Sequence, residues 1–208
     1  MALMPSADSE NRYSSTDQSL LLRIACQSIS NGVDHGRPAM PGLAGLPHTL
    51  MLQRSSFVTL TADAQLRGCI GSLEAHRPLA DDVCHNAWAA AFRDPRFPPV
   101  SAAELPGMDI QVSVLSEAEL LQFQSEDVLS GMLRPGIDGL IIEDKSSRGT
   151  FLPSVWESLP DPGDFLQHLK LKAGLPAGYW SDTVRVWRYT TQSFAAPIST
   201  IQREMLPT

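Results

Sequence analysis

Lysine is the scarcest charged residue in this chain. Three occur in 208 positions (Lys145, Lys170, Lys172), against thirteen arginines and 23 acidic residues. The formal charge of −7 lacks the basic footprint that broad binding to nucleic acid or anionic lipid requires, so neither is expected as a partner. Clustered arginine holds carboxylate or phosphate in a planar fork, so the arginine excess leaves room for a local anion site. Codon usage in a GC-rich genome is the plainer source of that excess. Cysteine is equally sparse: Cys26, Cys69 and Cys84 are odd in number and show no paired spacing, which fits reduced thiols better than a disulfide framework. No apolar run reaches the ~18 residues that span a bilayer. The opening Met-Ala-Leu-Met-Pro has neither the basic start nor the apolar stretch of a signal peptide. A cytoplasmic protein with a disordered tail over residues 1–16 is expected. His35, His48, His76, His85 and His168 form no compact pair of the zinc or iron kind, and the chain has no GxSxG elbow, phosphate loop or dinucleotide fingerprint. No metal and no cofactor are expected.

What is present is a composition fit for a core: 43% of residues are hydrophobic and 19% charged, which excludes a disordered chain. The length suits one domain or two closely packed lobes that bury roughly 70% of the unfolded surface. Thr16 or Asp17 is placed to cap a first helix through Leu20, Leu21, Ile24, Ala25 and Ile29, with Asn31-Gly32 as its end. Residues 32–48 read as a long loop. Phe57 to Thr61 and Leu66 to Leu73 read as a hairpin joined by Ala62 to Gln65. Pro78 opens a helix with Asp81 and Asp82 in its first turn, a stripe of Cys84, Trp88 and Phe92, and Arg93 in its last turn before Asp94-Pro95. Met108 to Leu115 alternates as a strand, and Glu126 to Leu133 as a short helix. A second hairpin runs over Gly139–Glu143 and Gly149–Leu152. Asp161-Pro162 starts a helix that Gly174 ends, and Val184 to Tyr189 closes the set, with 195–208 as a C-terminal tail. Helices and strands mix without a βαβ repeat, so the expected fold is α+β, a mostly antiparallel sheet flanked by helices.

The segment with most chemical content is Leu66-Arg67-Gly68-Cys69-Ile70-Gly71. On a regular strand Leu66, Gly68 and Ile70 face the core, while Arg67, Cys69 and Gly71 share the other face, residues two apart lying about 6.5–7 Å from one another. A guanidinium that near favours thiolate over thiol. Glycine inside a strand marks a bulge or a place where a backbone or ligand comes close. The competing reading is that Cys69 packs as a small hydrophobe and Arg67 is an ordinary salt-bridge partner. Cys84, on the tryptophan stripe, reads as core. Arg77, Arg93, Arg96, Arg134 and Arg148 sit beside turns that could converge on one surface. Taken singly, each is explained by helix-end or loop stabilisation.

These residues, with Ala90-Ala91, Asp94-Pro95-Arg96-Phe97-Pro98-Pro99, Glu104-Leu105 and Val112-Ser113-Val114-Leu115, resemble the AMMECR domain family. Arg134 to Leu140, Arg148 to Trp156, Lys172 to Leu175 and Trp180 extend the likeness over about residues 17–194. The resemblance implies a larger and a smaller α+β lobe, with a cleft between them that the LRGCIG run faces. It also implies, for microbial members, a role as protein A of an AmmeMemoRadiSam system beside a Memo-like protein and a radical SAM enzyme. It implies no reaction. Two functional readings follow. In one, Cys69 primed by Arg67 is a nucleophile or acid/base. Gly68 and Gly71 then keep its surface clear, and Arg77, Arg93, Arg96 and Arg148 hold an anionic substrate. In the other, the same glycine-lined surface is a non-catalytic binding or adaptor module.

Overall fold

The computed structural model describes residues 13–205. It divides into two compact units, one running to Leu115 and resuming at Gln192, the other covering Ser116–Thr191.

The first unit begins with helix α1 (Ser15–His35). Its cap is Ser14, two residues before Thr16 and three before Asp17, the caps that the sequence pattern suggests. The Ser14 hydroxyl accepts from the Asp17 N–H at 3.1 Å while the Asp17 carboxylate accepts from the Ser14 N–H at 3.2 Å, a capping box that uses Asp17 as its third residue. The helix also runs past Asn31-Gly32 to His35 and ends on Gly36 at φ 72°. Gly32 is therefore an interior residue. A Cβ there would stand 2.2 Å from Phe92 Cε2 and 2.8 Å from Trp88 Cδ1, so this glycine lets α1 approach the next long helix. The tail expected over 1–16 lies outside the described residues up to position 12; from Tyr13, which is buried, the chain belongs to the fold.

After the one-turn helix α2 (His48–Met51), strands β1 (Ser56–Ala62) and β2 (Gln65–Gly71) form the expected hairpin. Asp63 and Ala64 both carry positive φ (50° and 59°), the backbone of a two-residue turn that matches strand twist. Helix α3 (Leu79–Phe92) follows, entered at Pro78, and β3 (Met108–Leu115) pairs antiparallel with β1. Alternation holds in both strands: Val58, Leu60, Met108, Ile110, Val112 and Val114 are buried, while Asp109 and Gln111 are exposed. The expected C-terminal tail from 195 is instead strand β8 (Thr191–Pro197) and helix α6 (Ile198–Met205). Ile198 and Ile201 lie one helical turn apart and are both buried in the core, which is why a polar-looking segment folds. The sheet order is β2-β1-β3-β8.

The second unit holds β4 (Glu119–Leu120), α4 (Glu126–Met132), β5 (Gly139–Asp144), β6 (Ser147–Phe151), α5 (Pro162–Lys172) and β7 (Arg185–Tyr189). Its sheet order is β4-β7-β5-β6, with antiparallel pairing. Asp161 caps α5 by accepting from the N–H groups of Gly163 and Asp164, and Pro162 takes the first helical position. The core centres on Phe165, whose ring stacks on Trp156 at 3.8 Å. The whole is α+β with antiparallel sheets, as the pattern of elements predicts. No helix among the described residues is long and apolar enough to cross a membrane.

Candidate functional site

The Leu66–Gly71 run is strand β2, at the edge of its sheet. It is not a regular strand. Gly68 lies opposite Leu60 and Leu66 opposite Thr61, so Arg67 is an extra residue, a β-bulge. The bulge resets the alternation of faces. Gly68 and Ile70 stay on the core side opposite buried Leu60 and Val58, but Leu66 turns outward and is 43% exposed, against the expectation that it joins the core. The two glycines have distinct causes. A Cβ on Gly68 would meet the Ala90 carbonyl oxygen at 2.2 Å, so α3 lies directly on the strand there. On Gly71 it would meet the Phe57 ring at 2.2 Å, its cross-strand partner filling that space.

Cys69 is half-buried and unpaired with any other cysteine. It faces Thr59, whose hydroxyl donates to Sγ at 3.2 Å. Its main chain, on the open edge, is held by side chains. The Cys69 N–H donates to Asp94 Oδ2 at 2.8 Å, and Arg96 Nη2 donates to the Cys69 carbonyl at 3.3 Å. Asp94 and Arg96 thus stand where a neighbouring strand would, and they hold each other: Oδ1 accepts from Arg96 Nε at 2.9 Å and Oδ2 from Nη2 at 2.7 Å. With its side chain 2% exposed, Asp94 has an acidity set first by the Arg96 hydrogen bond, then by the N–H donors of Cys69 and Arg96. Together these outweigh desolvation and hold its carboxyl well below the usual carboxylate range. Arg96 is pushed up, chiefly by the same hydrogen bond.

Arg67 goes elsewhere. Its Nε donates to Glu104 Oε1 at 2.8 Å, and its guanidinium lies 5.9 Å from the Phe97 ring centre, with Arg96 at 5.5 Å from the same ring. Glu104 also accepts from the N–H and hydroxyl of Ser101 and is held down to about 2, the Arg67 hydrogen bond being the largest cause. The guanidinium bonded at Cys69 is therefore that of Arg96, while the charge of Arg67 is matched by Glu104. Arg67 Nη1 is buried with no hydrogen-bond partner.

The structure brings Arg67, Gly68, Cys69, Gly71 and Arg96 together along one strand and the loop that follows α3. The other candidate arginines have separate settings. Arg77 lies 3.7 Å from Asp82. Arg93 is the C-cap of α3, one residue beyond the last turn that the sequence pattern gave it, and stacks over Trp88 at 5.1 Å. Arg148, on β6 in the second unit, lies 3.9 Å from Glu143. Asp94, Glu104, Phe97 and Thr59 were not singled out by residue type. Asp94 read only as a helix stop, and the available signal was an Asp–Pro–Arg following a helix that must cover a glycine-bearing edge strand. Asp82, read as a dipole partner, is buried. It accepts from the Ser56 N–H and hydroxyl, from Asn86 and from Ser72, tying α3 to β1 and to the residue that follows β2. Cys26 and Cys84 are buried, and burial pushes both thiols up. Among the described residues no group of three or more His, Cys, Asp or Glu side chains is arranged to hold a metal ion.

Comparison with known proteins places this geometry in context. The AMMECR1 family model matches residues 22–194. A protein of Methanothermobacter thermautotrophicus is 41% identical over 155 residues, covering 72% of this chain and 79% of its own. One from Thermofilum pendens is 35% identical over 199 residues, covering 88% and 91%. The crystal structure of an uncharacterized protein from Pyrococcus horikoshii superposes with a TM-score of 0.77 at 31% identity, covering 85% of this chain and 90% of the other.

Proposed function

The chain belongs to the AMMECR1 family, and from that premise we propose that it is the protein A component of an AmmeMemoRadiSam system, with strand β2 as its working surface. In this reading a Memo-like protein and a radical SAM enzyme are its partners. Cys69 is the reacting group, a nucleophile or proton-transfer group toward a small anionic substrate. Arg96 and the unpartnered Nη1 of Arg67 are the donors that hold the anion, and Gly68 and Gly71 leave the strand uncluttered. The observation that carries the reading is the setting of Cys69: a half-buried residue, contacted by the Thr59 hydroxyl, on a strand edge fixed by a buried carboxylate and its exposed guanidinium partner. Preorganised donors of that kind are what a developing negative charge needs.

The pairing of Arg67 with Glu104 and of Arg96 with Asp94 favours a second reading, a non-catalytic binding module, because neither cation is left uncompensated. Iodoacetamide alkylation of each cysteine, followed across pH by peptide mass spectrometry, separates the two. The first reading requires Cys69 to react well ahead of Cys26 and Cys84 at neutral pH. A Cys69 as inert as Cys84 sinks it, and association with the two partner proteins at micromolar concentration then becomes the experiment that supports the binding module.

A further inference from the structure

The second unit contains a cavity of about 340 Å³ that the chemistry of β2 does not use. Its size is that of a small-molecule site, for which roughly 300–1,000 Å³ is usual. One wall is the run after β4, with Gln122, Phe123 and Gln124; the other is the segment leading into β7, with Trp180 and Asp182, and the first residue of that strand, Arg185. The Phe123 and Trp180 rings meet at 5.6 Å between centres and 53° between planes, a tilted wedge of two rings in contact that lines the cavity.

The charges around the wedge are unequal. Arg185 is engaged: its Nη2 donates to Glu143 Oε1 at 2.5 Å, and its guanidinium lies over Trp187 at 5.4 Å. Asp182 is exposed and has neither a hydrogen bond nor an ion pair among the described residues. Of the two charged residues that line the cavity, the one without a partner is therefore the carboxylate. The wall that carries it is also fixed. Buried Asp144, at the end of β5, accepts from Tyr179 Oη and from Thr183 Oγ1, both at 2.5 Å, and so anchors the chain on either side of Trp180 and Asp182. Aromatic faces attract cations through the ring quadrupole, most strongly at tryptophan, and a carboxylate beside them adds charge complementarity. Gln122 and Gln124 add amide acceptors at the rim.

We propose that this cavity binds a small organic cation, an alkylammonium or guanidinium group, seated against the contacting Phe123–Trp180 pair and paired with Asp182. A free amine and an arginine side chain of a partner protein both present that chemistry. The test is a titration of the full chain, ¹⁵N-labelled, with tetramethylammonium, with an acetylated Gly-Arg-Gly amide and with sodium phosphate. The indole N–H resonances are followed, and that of Trp180 is assigned by its loss in Trp180→Phe. A saturable shift of that resonance with either cation is expected. It should weaken about tenfold in Asp182→Asn, the equivalent of about 1.4 kcal/mol, with the other indole resonances unchanged. Tighter binding of the tripeptide identifies a partner's side chain as the source, and equal binding a free cation; both uphold the site. No saturable shift at tens of millimolar, an undiminished response in Asp182→Asn, or a stronger shift with phosphate overturns it. Asp182 is exposed, so its substitution leaves the fold intact, and nothing in the titration depends on Cys69.

Discussion

Replacing Asp94 by alanine strips the edge of β2 of the group that stands in for a neighbouring strand. Four hydrogen bonds are lost: one from the Cys69 N–H at 2.8 Å and three from Arg96, at 3.1, 2.9 and 2.7 Å. A hydrogen bond to a charged group contributes about 1.5–3 kcal/mol net. The sum is much smaller than four such terms, because the Arg96 side chain is 53% exposed and water replaces most of what it loses. The bond to the Cys69 N–H is not replaced so easily, since it lies beside the α3 contact at Gly68. The expected cost is therefore about 2–3 kcal/mol. Asp94→Asn keeps an acceptor for the Cys69 N–H but loses the charge, and should cost about half as much. Urea unfolding of the first unit, read through Trp88 fluorescence in a chain whose other tryptophans are replaced by phenylalanine, measures both. Alkylation of Cys69 should accelerate in the alanine variant as the edge loosens, and less in the asparagine variant. An alanine variant within about 0.5 kcal/mol of the parent, the size of an ordinary surface substitution, would refute the strand-surrogate reasoning. So would an asparagine variant as damaged as the alanine one.

Two further outcomes follow from the same strand. Gly68→Ala puts a methyl 2.2 Å from a backbone oxygen of α3, which no side-chain rotation relieves, so a loss of about 3 kcal/mol in urea unfolding is expected, at the upper end of overpacking costs. For Glu104 the folded value near 2 lies below its usual 4.5. Its pairing with Arg67 therefore contributes fully above pH 4.5 and is lost as pH falls toward 2, so the stability gap between the parent and Glu104→Gln should shrink between about pH 4.5 and pH 2.

The strands of the first hairpin, the alternation of β3, the proline-led α3 and α5 and the α+β class were all legible in the sequence, because each rests on local chemistry: turn residues, apolar period, capping side chains. What escaped was decided by partners far along the chain. Gly32 looks like a helix end and is a helix interior, since Phe92 and Trp88 demand the space of its Cβ. Residues from 195 onward look like a tail because Ile198 and Ile201 stand among polar residues, and α6 is stabilised by the core it covers. In the motif, strict alternation placed Leu66 in the core and Arg67 beside Cys69. A single bulge, invisible to a period of two, exposes Leu66 and leaves Arg96 as the arginine bonded to the Cys69 main chain.

The motif can be divided according to what the fold already requires of it. Gly68 is needed for the approach of α3, Gly71 for the ring of Phe57, and Ile70 for the core; Arg67 fills the bulge and binds Glu104. The main chain of Cys69 is needed too, as the point where Asp94 and Arg96 grip the edge. None of this depends on sulfur. Alanine or serine at position 69 would offer the same N–H and carbonyl, and the hydroxyl of Thr59 could turn to solvent. Architecture therefore accounts for Gly68, Ile70 and Gly71 and for most of Arg67, but leaves the thiol of Cys69 and the buried Nη1 of Arg67 unexplained. A buried donor without an acceptor costs stability unless something occupies the space before it, and that cost is borne two residues along the chain from the thiol of Cys69. This residue of unexplained chemistry, rather than the motif as a whole, is where the search for a ligand should begin.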